Sequence, residues 1–239
     1  MTDLEAIALR QSRRSYLGTP IAAESVSQLK AAVEKYNKIS GLSIQLIEDG
    51  REAFGGFGLA YGMFSGIRSY FAIIGKSSDV NLKEKAGYYG ELLVLQAITL
   101  GLGTCWVGVT FNRNRCPFTV QDDETLICLI TVGNIAEKKS FRENTIYKMV
   151  HRKTKAIEEL YTSDTPVPDW FLDGMKAVQK APSAVNQQPV LFKYEKSVVT
   201  AEVNNTENHQ PIDLGIAKLH FELGAGKGKF ELGNGARMV

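Results

Sequence analysis

Residues 87–108 read Gly87-Tyr-Tyr-Gly-Glu-Leu-Leu-Val-Leu-Gln-Ala-Ile-Thr-Leu-Gly-Leu-Gly-Thr-Cys-Trp-Val-Gly108. The middle of the stretch, Leu92 to Leu100, is apolar on nearly every helical face and holds no proline, and it is too short to cross a bilayer. It predicts a buried central helix. Gly101 and Gly103 then supply turned backbone, and Cys105-Trp106-Val107-Gly108-Val109 resumes with the β-branched and aromatic character of a strand. A helix thus feeds a buried strand through Gly-Leu-Gly-Thr. Such a turn leaves backbone N–H groups unobstructed, which suits the edge of a flat, polar-rimmed ligand. It reads equally as a plain tight connection, so the rest of the chain must decide.

Working outward, 239 residues suffice for one large domain or two small ones with a substantial core. Hydrophobic residues make up 44% and charged residues 23%, the balance of an ordinary globular protein. With 28 basic against 26 acidic residues the net charge is only +2, so no nucleic-acid partner is implied. Cys105, Cys116 and Cys128 are odd in number and share no C-x-x-C spacing, which predicts reduced thiols. The opening MTDLEAIALRQSRRS lacks the order of a secretory signal, and no window of eighteen apolar residues follows. The expectation is a cytoplasmic protein with no membrane partner. His151, His209 and His220 fall in no metal-ligand spacing, so structural roles and no metal are expected.

Leu4 to Ser12 and Ala23 to Tyr36 carry helical periodicity, and Ser43 to Ile47 alternates as a strand. The glycine-rich piece Gly55 to Gly66 keeps several large residues, among them Phe57, Tyr61 and Met63, which predicts an ordered loop. Tyr70 to Ile74 and Leu126 to Val132 read as strands. Ala136 to Lys155 turns basic, and Thr165-Pro166-Val167-Pro168 looks like an internal boundary. A helix from Pro168 to Lys180 precedes Ala181-Pro182-Ser183-Ala184-Val185-Asn186-Gln187-Gln188-Pro189, then two strands, Val190 to Tyr194 and Val198 to Val203, and an apolar helix from Asp213 to Leu223. That last helix opens an echo of the central stretch: Ile212 to Gly233 repeats helix, glycine turn and strand-like tail. Two unequal copies of one α/β unit, residues 1–160 and 161–239, are expected to pack about a pseudo-two-fold axis as a dimer's subunits do.

Three motifs resemble the nitroreductase-like flavoprotein family over nearly the whole chain: Arg13-Arg14-Ser15, the Ala-Pro-Ser-x-x-Asn-x-Gln-Pro signature at 181–189, and the central turn Gly101 to Gly108. The dibasic pair alone is weak; the second motif is long and specific. In the family the Pro-Ser-x-x-Asn element follows the opening basic motif within one subunit and serves its neighbour's flavin. Here Lys38 to Leu42 stands in its place, and the second copy supplies it. The chain therefore resembles the single-chain, fused-repeat branch. The resemblance implies an α+β nitroreductase-like fold with an antiparallel-rich central sheet, surrounding helices and an internal pseudo-dimer, with one composite flavin site and a monomer or weak homodimer in solution.

It also implies FMN as cofactor, NADH or NADPH as co-substrate, and ping-pong electron transfer to a nitroaromatic, quinone or similar small molecule, with no catalytic side chain. The rival is a flavin store or redox sensor with little turnover. Arg13 and Arg14, with Ser15 nearby, would meet the phosphate, for which a guanidinium fork is suited. Arg152 and Lys153 are second candidates. Pro182, Ser183 and Asn186 would reach the ribityl chain and the ring's polar edge, and Thr104, Cys105 and Trp106 would offer backbone N–H groups near the hydride-accepting nitrogen.

Overall fold

Seven of the eight residues of Ser69–Lys76 are buried, Ser69 through Gly75, because the run Tyr70-Phe71-Ala72-Ile73-Ile74 is apolar on both strand faces and cannot leave either in water. The computed structural model describes residues 1–55, 64–138, 143–145 and 153–239. The chain falls into two compact units, one of Leu9–Val80 with Leu93–Met149, the other of Met1–Ala8, Asn81–Leu92 and Val150–Val239.

In the first unit, helix α2 (Ala23–Ser40) follows the short α1 (Asp3–Leu9), which lies almost wholly in the other unit. It buries Leu29 and Val33 and ends at Gly41, whose φ of 74° is the left-handed cap that glycine adopts without strain. Strands β1 (Gln45–Ile47), β2 (Ser69–Lys76), β3 (Gly103–Val107) and β4 (Glu124–Gly133) form one sheet in the order β1-β2-β4-β3. All three pairings are antiparallel, with a register shift at Ile73/Ile74 of β2. Helix α3 (Leu82–Thr99) leads into β3, as its apolar stretch predicts, and begins ten residues before that stretch, with Gly87 and Gly90 inside it.

In the second unit, β5 (Tyr161–Ser163) runs parallel to β6 (Leu191–Glu195), which pairs antiparallel with β7 (Val198–Glu202). Helices α4 (Asp169–Gln179) and α5 (Gln210–Ala225) pack together over a core holding Phe171, Phe192 and Phe221, the last two stacked with ring centres 5.0 Å apart. The first turns of α3 meet α5 at glycines: a Cβ on Gly87 would collide with the Ile212 carbonyl, and one on Gly215 with that of Glu84. At this close approach Lys218 and Glu84, 1% and 3% exposed, form an ion pair at 2.5 Å. His220 lies between the Ala177 carbonyl (3.0 Å) and Glu91 (2.9 Å).

The echo ends sooner than the sequence suggests. After α5 comes a left-handed Gly226 (φ 66°), but the tail makes only the isolated bridges Phe230↔Met238 and Thr200↔Arg237 in place of the expected strand. Its residues are mostly exposed and too polar to enter a sheet core.

Candidate functional site

Strand β3 is last in its sheet, and the segment carrying Arg13, Arg14 and Ser15 lies along its edge. Ser12 bridges Thr104 in parallel fashion, and the Arg13 amide donates to the Thr104 carbonyl at 2.8 Å. Gly103 permits this approach, since a Cβ there would collide with Ile135 and crowd the Arg13 side chain. On its other flank the segment is tied to Ser65, whose amide donates to Arg14 O and whose carbonyl accepts from Tyr16 N, both at 2.9 Å. The Tyr16 hydroxyl donates to Arg13 O at 2.9 Å and meets Thr131 Oγ1 at 2.7 Å.

Glu143, 2% exposed, holds the segment from within. Its Oε1 accepts from the Arg14 amide (2.6 Å), the Ser15 amide (3.2 Å) and Arg13 Nε (3.1 Å), while Arg13 Nη2 also donates to Ala136 O (3.1 Å). Burial pushes the Glu143 carboxyl up, but those amides and the guanidinium outweigh it and leave it below its usual range. The Arg13 guanidinium is thereby committed. Arg14 is half-buried, and its Nε is buried with no hydrogen-bond partner. Thr104 and Cys105 are buried and Trp106 partly so. Burial raises the Cys105 thiol despite nearby Arg14 and Arg10 charge, so it is no ready thiolate.

The 181–189 motif lies in the second unit and departs from any ordinary turn. Ser183 is extended, Ala184–Asn186 make one 3-10 turn, and φ is positive at Val185 (46°), Asn186 (53°) and Gln188 (47°). A β-branched residue in that region is an outlier that only surrounding contacts sustain. Gln188, 6% exposed, supplies several: its amide donates to Ser183 Oγ (2.9 Å), its Nε2 to Gln179 O (3.1 Å), and its Oε1 accepts from Lys155 N (2.8 Å). Lys155 Nζ adds a bond to Gln188 O at 2.9 Å. At the front of the turn, the Asp213 carboxylate of α5 accepts from Ala184 N at 3.2 Å. Asn186 and Pro182 are half-buried and Val185 is 50% exposed, so the strained turn faces outward.

Each unit thus assembles one group of the expected residues: Arg13, Arg14, Ser15, Thr104, Cys105 and Trp106 at the edge of β3, and Pro182, Ser183 and Asn186 on the strained loop. Lys153 is exposed, and Arg152 and His151, like most of the glycine-rich piece, lie outside the described residues. Sequence reasoning passed over Glu143, hidden in a basic run, and Asp213 and Gln188, whose roles depend on what folds against them. Among the described residues no cluster of three or more His, Cys, Asp or Glu side chains could hold a metal ion, and no helix is long and apolar enough to cross a membrane.

Residues 3–225 match the family model described as "Putative TM nitroreductase". Among solved structures, one from Thermotoga maritima described as a putative nitroreductase superposes with a TM-score of 0.65 at 20% identity, covering 100% of this chain and 92% of that one. A nitroreductase family protein of Clostridium difficile 630 superposes with a TM-score of 0.50 at 15% identity, over 70% of this chain and 100% of its own. At these identities the likeness is one of fold. No curated protein matches the chain.

Proposed function

The chain belongs to the nitroreductase family, and on that premise we propose that it is an FMN-dependent oxidoreductase of nitroreductase type, fed by NADH or NADPH and reducing a small acceptor such as a nitroaromatic or quinone. The observation that carries the flavin reading is Arg14. On a segment pinned along β3, a guanidinium nitrogen is buried without an acceptor, a state that costs free energy unless an anion completes it. A phosphate supplies the missing oxygens.

Arg14 therefore takes the phosphate in this proposal. Arg13, tied to Glu143, holds the segment in place for it, and Ser15 stands beside it. The backbone of Thr104, Cys105 and Trp106 and the side chains of Pro182, Ser183 and Asn186 are assigned to the ring and ribityl chain by resemblance. Asn186 both donates and accepts, as the alternating carbonyl and N–H groups of a flavin edge require. Lys153, and Arg152 with it, are kept as further phosphate candidates. FMN, when bound, would supply the electron chemistry of a ping-pong cycle between nicotinamide and acceptor. The protein's part is to bind and orient, and to offer N–H donors where negative charge develops. No side-chain nucleophile is required.

The same reading takes residues 1–160 and 161–239 as unequal copies, with a monomer or weak homodimer in solution and a cytoplasmic setting; sedimentation distinguishes the two oligomeric states. The decisive test is a visible spectrum. A purified protein that is yellow, bleaches anaerobically with NADH or NADPH, and recolours with a nitroaromatic or quinone is the expected result. Protein that binds no FMN ends the proposal, and a yellow protein that no nicotinamide bleaches points to a flavin store or sensor.

A further inference from the structure

Asp213 takes no part in the roles assigned above, yet the strained loop is built against it. It sits in the first turn of α5 and is 5% exposed. One carboxylate oxygen accepts from the Ala184 amide; the other is buried and has no hydrogen-bond partner. A cavity of about 20 Å³ borders the group, lined by Pro182, Ser183, Gln188 and Ala217 among others. That is room for a single water.

The loop's internal bonds, Asn186 N to Ser183 O (3.0 Å) and Gln188 N to Ser183 Oγ (2.9 Å), do not reach outside it. Two ties do. Gln188 anchors the exit of the loop, and Asp213 anchors its entry, just ahead of the left-handed residues Val185 and Asn186.

We propose that Asp213 is the positioning residue of this loop: its carboxylate, drawn to the Ala184 amide, fixes the entry into the strained turn and so aims Asn186, and protonation of that carboxyl loosens the hold. The inference rests on the flavin role proposed for Asn186. Burial lifts the Asp213 carboxyl to about 7, and the Ala184 amide lowers it only in part. The hold therefore changes near neutrality. Above that point the amide meets a charged acceptor and a stronger bond; below it, a neutral one.

Several ionisable groups on the elements around Asp213 have partners of their own. Lys155 is bonded to Gln188 (2.9 Å), Lys218 to Glu84 (2.5 Å), Glu222 to the Tyr88 hydroxyl (2.6 Å) and His220 to Glu91 (2.9 Å). Lys176 of α4 pairs with Asp173 (2.7 Å), and His209, ahead of α5, meets Asp213 through its backbone carbonyl.

The test begins on flavin-free, isotopically labelled protein. The Ala184 amide resonance is followed from about pH 5.5 to about pH 8.5, a span bracketing the expected midpoint. A downfield shift on ionisation is expected in the native protein and none in Asp213→Asn. FMN titrations over the same range should show native affinity rising roughly tenfold with pH, the scale of one strengthened hydrogen bond, and Asp213→Asn staying level. Ala184→Pro removes the donor and keeps the acid. Ser183, extended at φ −143° and ψ 160°, accommodates a following proline. That variant should also lose the pH dependence of FMN affinity, and it serves if Asp213→Asn fails to fold. An Ala184 resonance that ignores pH, or that shifts alike in Asp213→Asn, overturns the hold. Equal pH dependence of FMN affinity in native and variant proteins overturns the aiming of Asn186. If FMN binds at no pH, the flavin assignment falls and the aiming with it, while the Ala184 titration still supports or overturns the hold by itself.

Discussion

Glu143 and Asp213 do the same mechanical task in different units, each reaching from far along the chain to accept backbone amides of a signature segment, but they are provisioned differently. Glu143 collects two amides and the Arg13 guanidinium and keeps its carboxyl below the usual range. Asp213 has one amide and an open oxygen, and burial carries it up to about 7. A buried carboxylate stays charged in proportion to the donors aimed at it. The segment beside Glu143 is thus held by a carboxylate whose charge its donors favour. The loop beside Asp213 is held by a group that can change state.

The largest break in this comparison is Glu143→Ala, which strands the Arg13 guanidinium in the interior; a loss of about 3–5 kcal/mol in urea unfolding is expected. Asp213→Asn comes next and carries a sign. The folded carboxyl is raised from 3.8 to about 7, so its protonated form favours the fold. Native stability relative to Asp213→Asn should be full below about pH 4 and fall as pH rises to about 7, by on the order of 4 kcal/mol at most. Glu143 gives the opposite slope. Its carboxyl is lowered from 4.5, so native stability relative to Glu143→Gln should be full above about pH 4.5 and fade on acidification. Denaturant curves across pH read both, and parallel slopes would refute the distinction.

Arg14→Ala sharpens the contrast between support and ligand: stability should change by less than about 1 kcal/mol, while the FMN Kd rises about 10- to 100-fold, the worth of a lost charged hydrogen bond. The smallest effect is Val185→Gly. The side chain is half exposed and φ is 46°, so relieving the left-handed strain should stabilise by roughly 0.5–1 kcal/mol in thermal unfolding.

Much of the fold was legible because it follows from short-range pattern. The apolar stretch of α3, the continuous apolar run of β2 and the helix α5 each announce burial through their spacing, and Gly41 and Gly226 mark helix ends by their freedom at positive φ. The motif segments were also visible as residue types. Their supports were not. Nothing in the spacing pairs Lys218 with Glu84, or His220 with Glu91, each more than a hundred positions apart, until close glycine packing brings α3 against α5 and removes the water between them.

By itself, then, the sequence determined most of the helices and strands, which faces are apolar, and which motifs place the chain beside its family, since all of these depend on neighbours a few residues apart. Only the tertiary structure decided that Arg13 is bound to Glu143 while Arg14 keeps a buried nitrogen without an acceptor, and that Asp213 stands under the Asn186 loop as a half-satisfied acid. The physical reason is that a charge acquires its role from the donors and the solvent around it. Those donors come from residues tens to more than a hundred positions away.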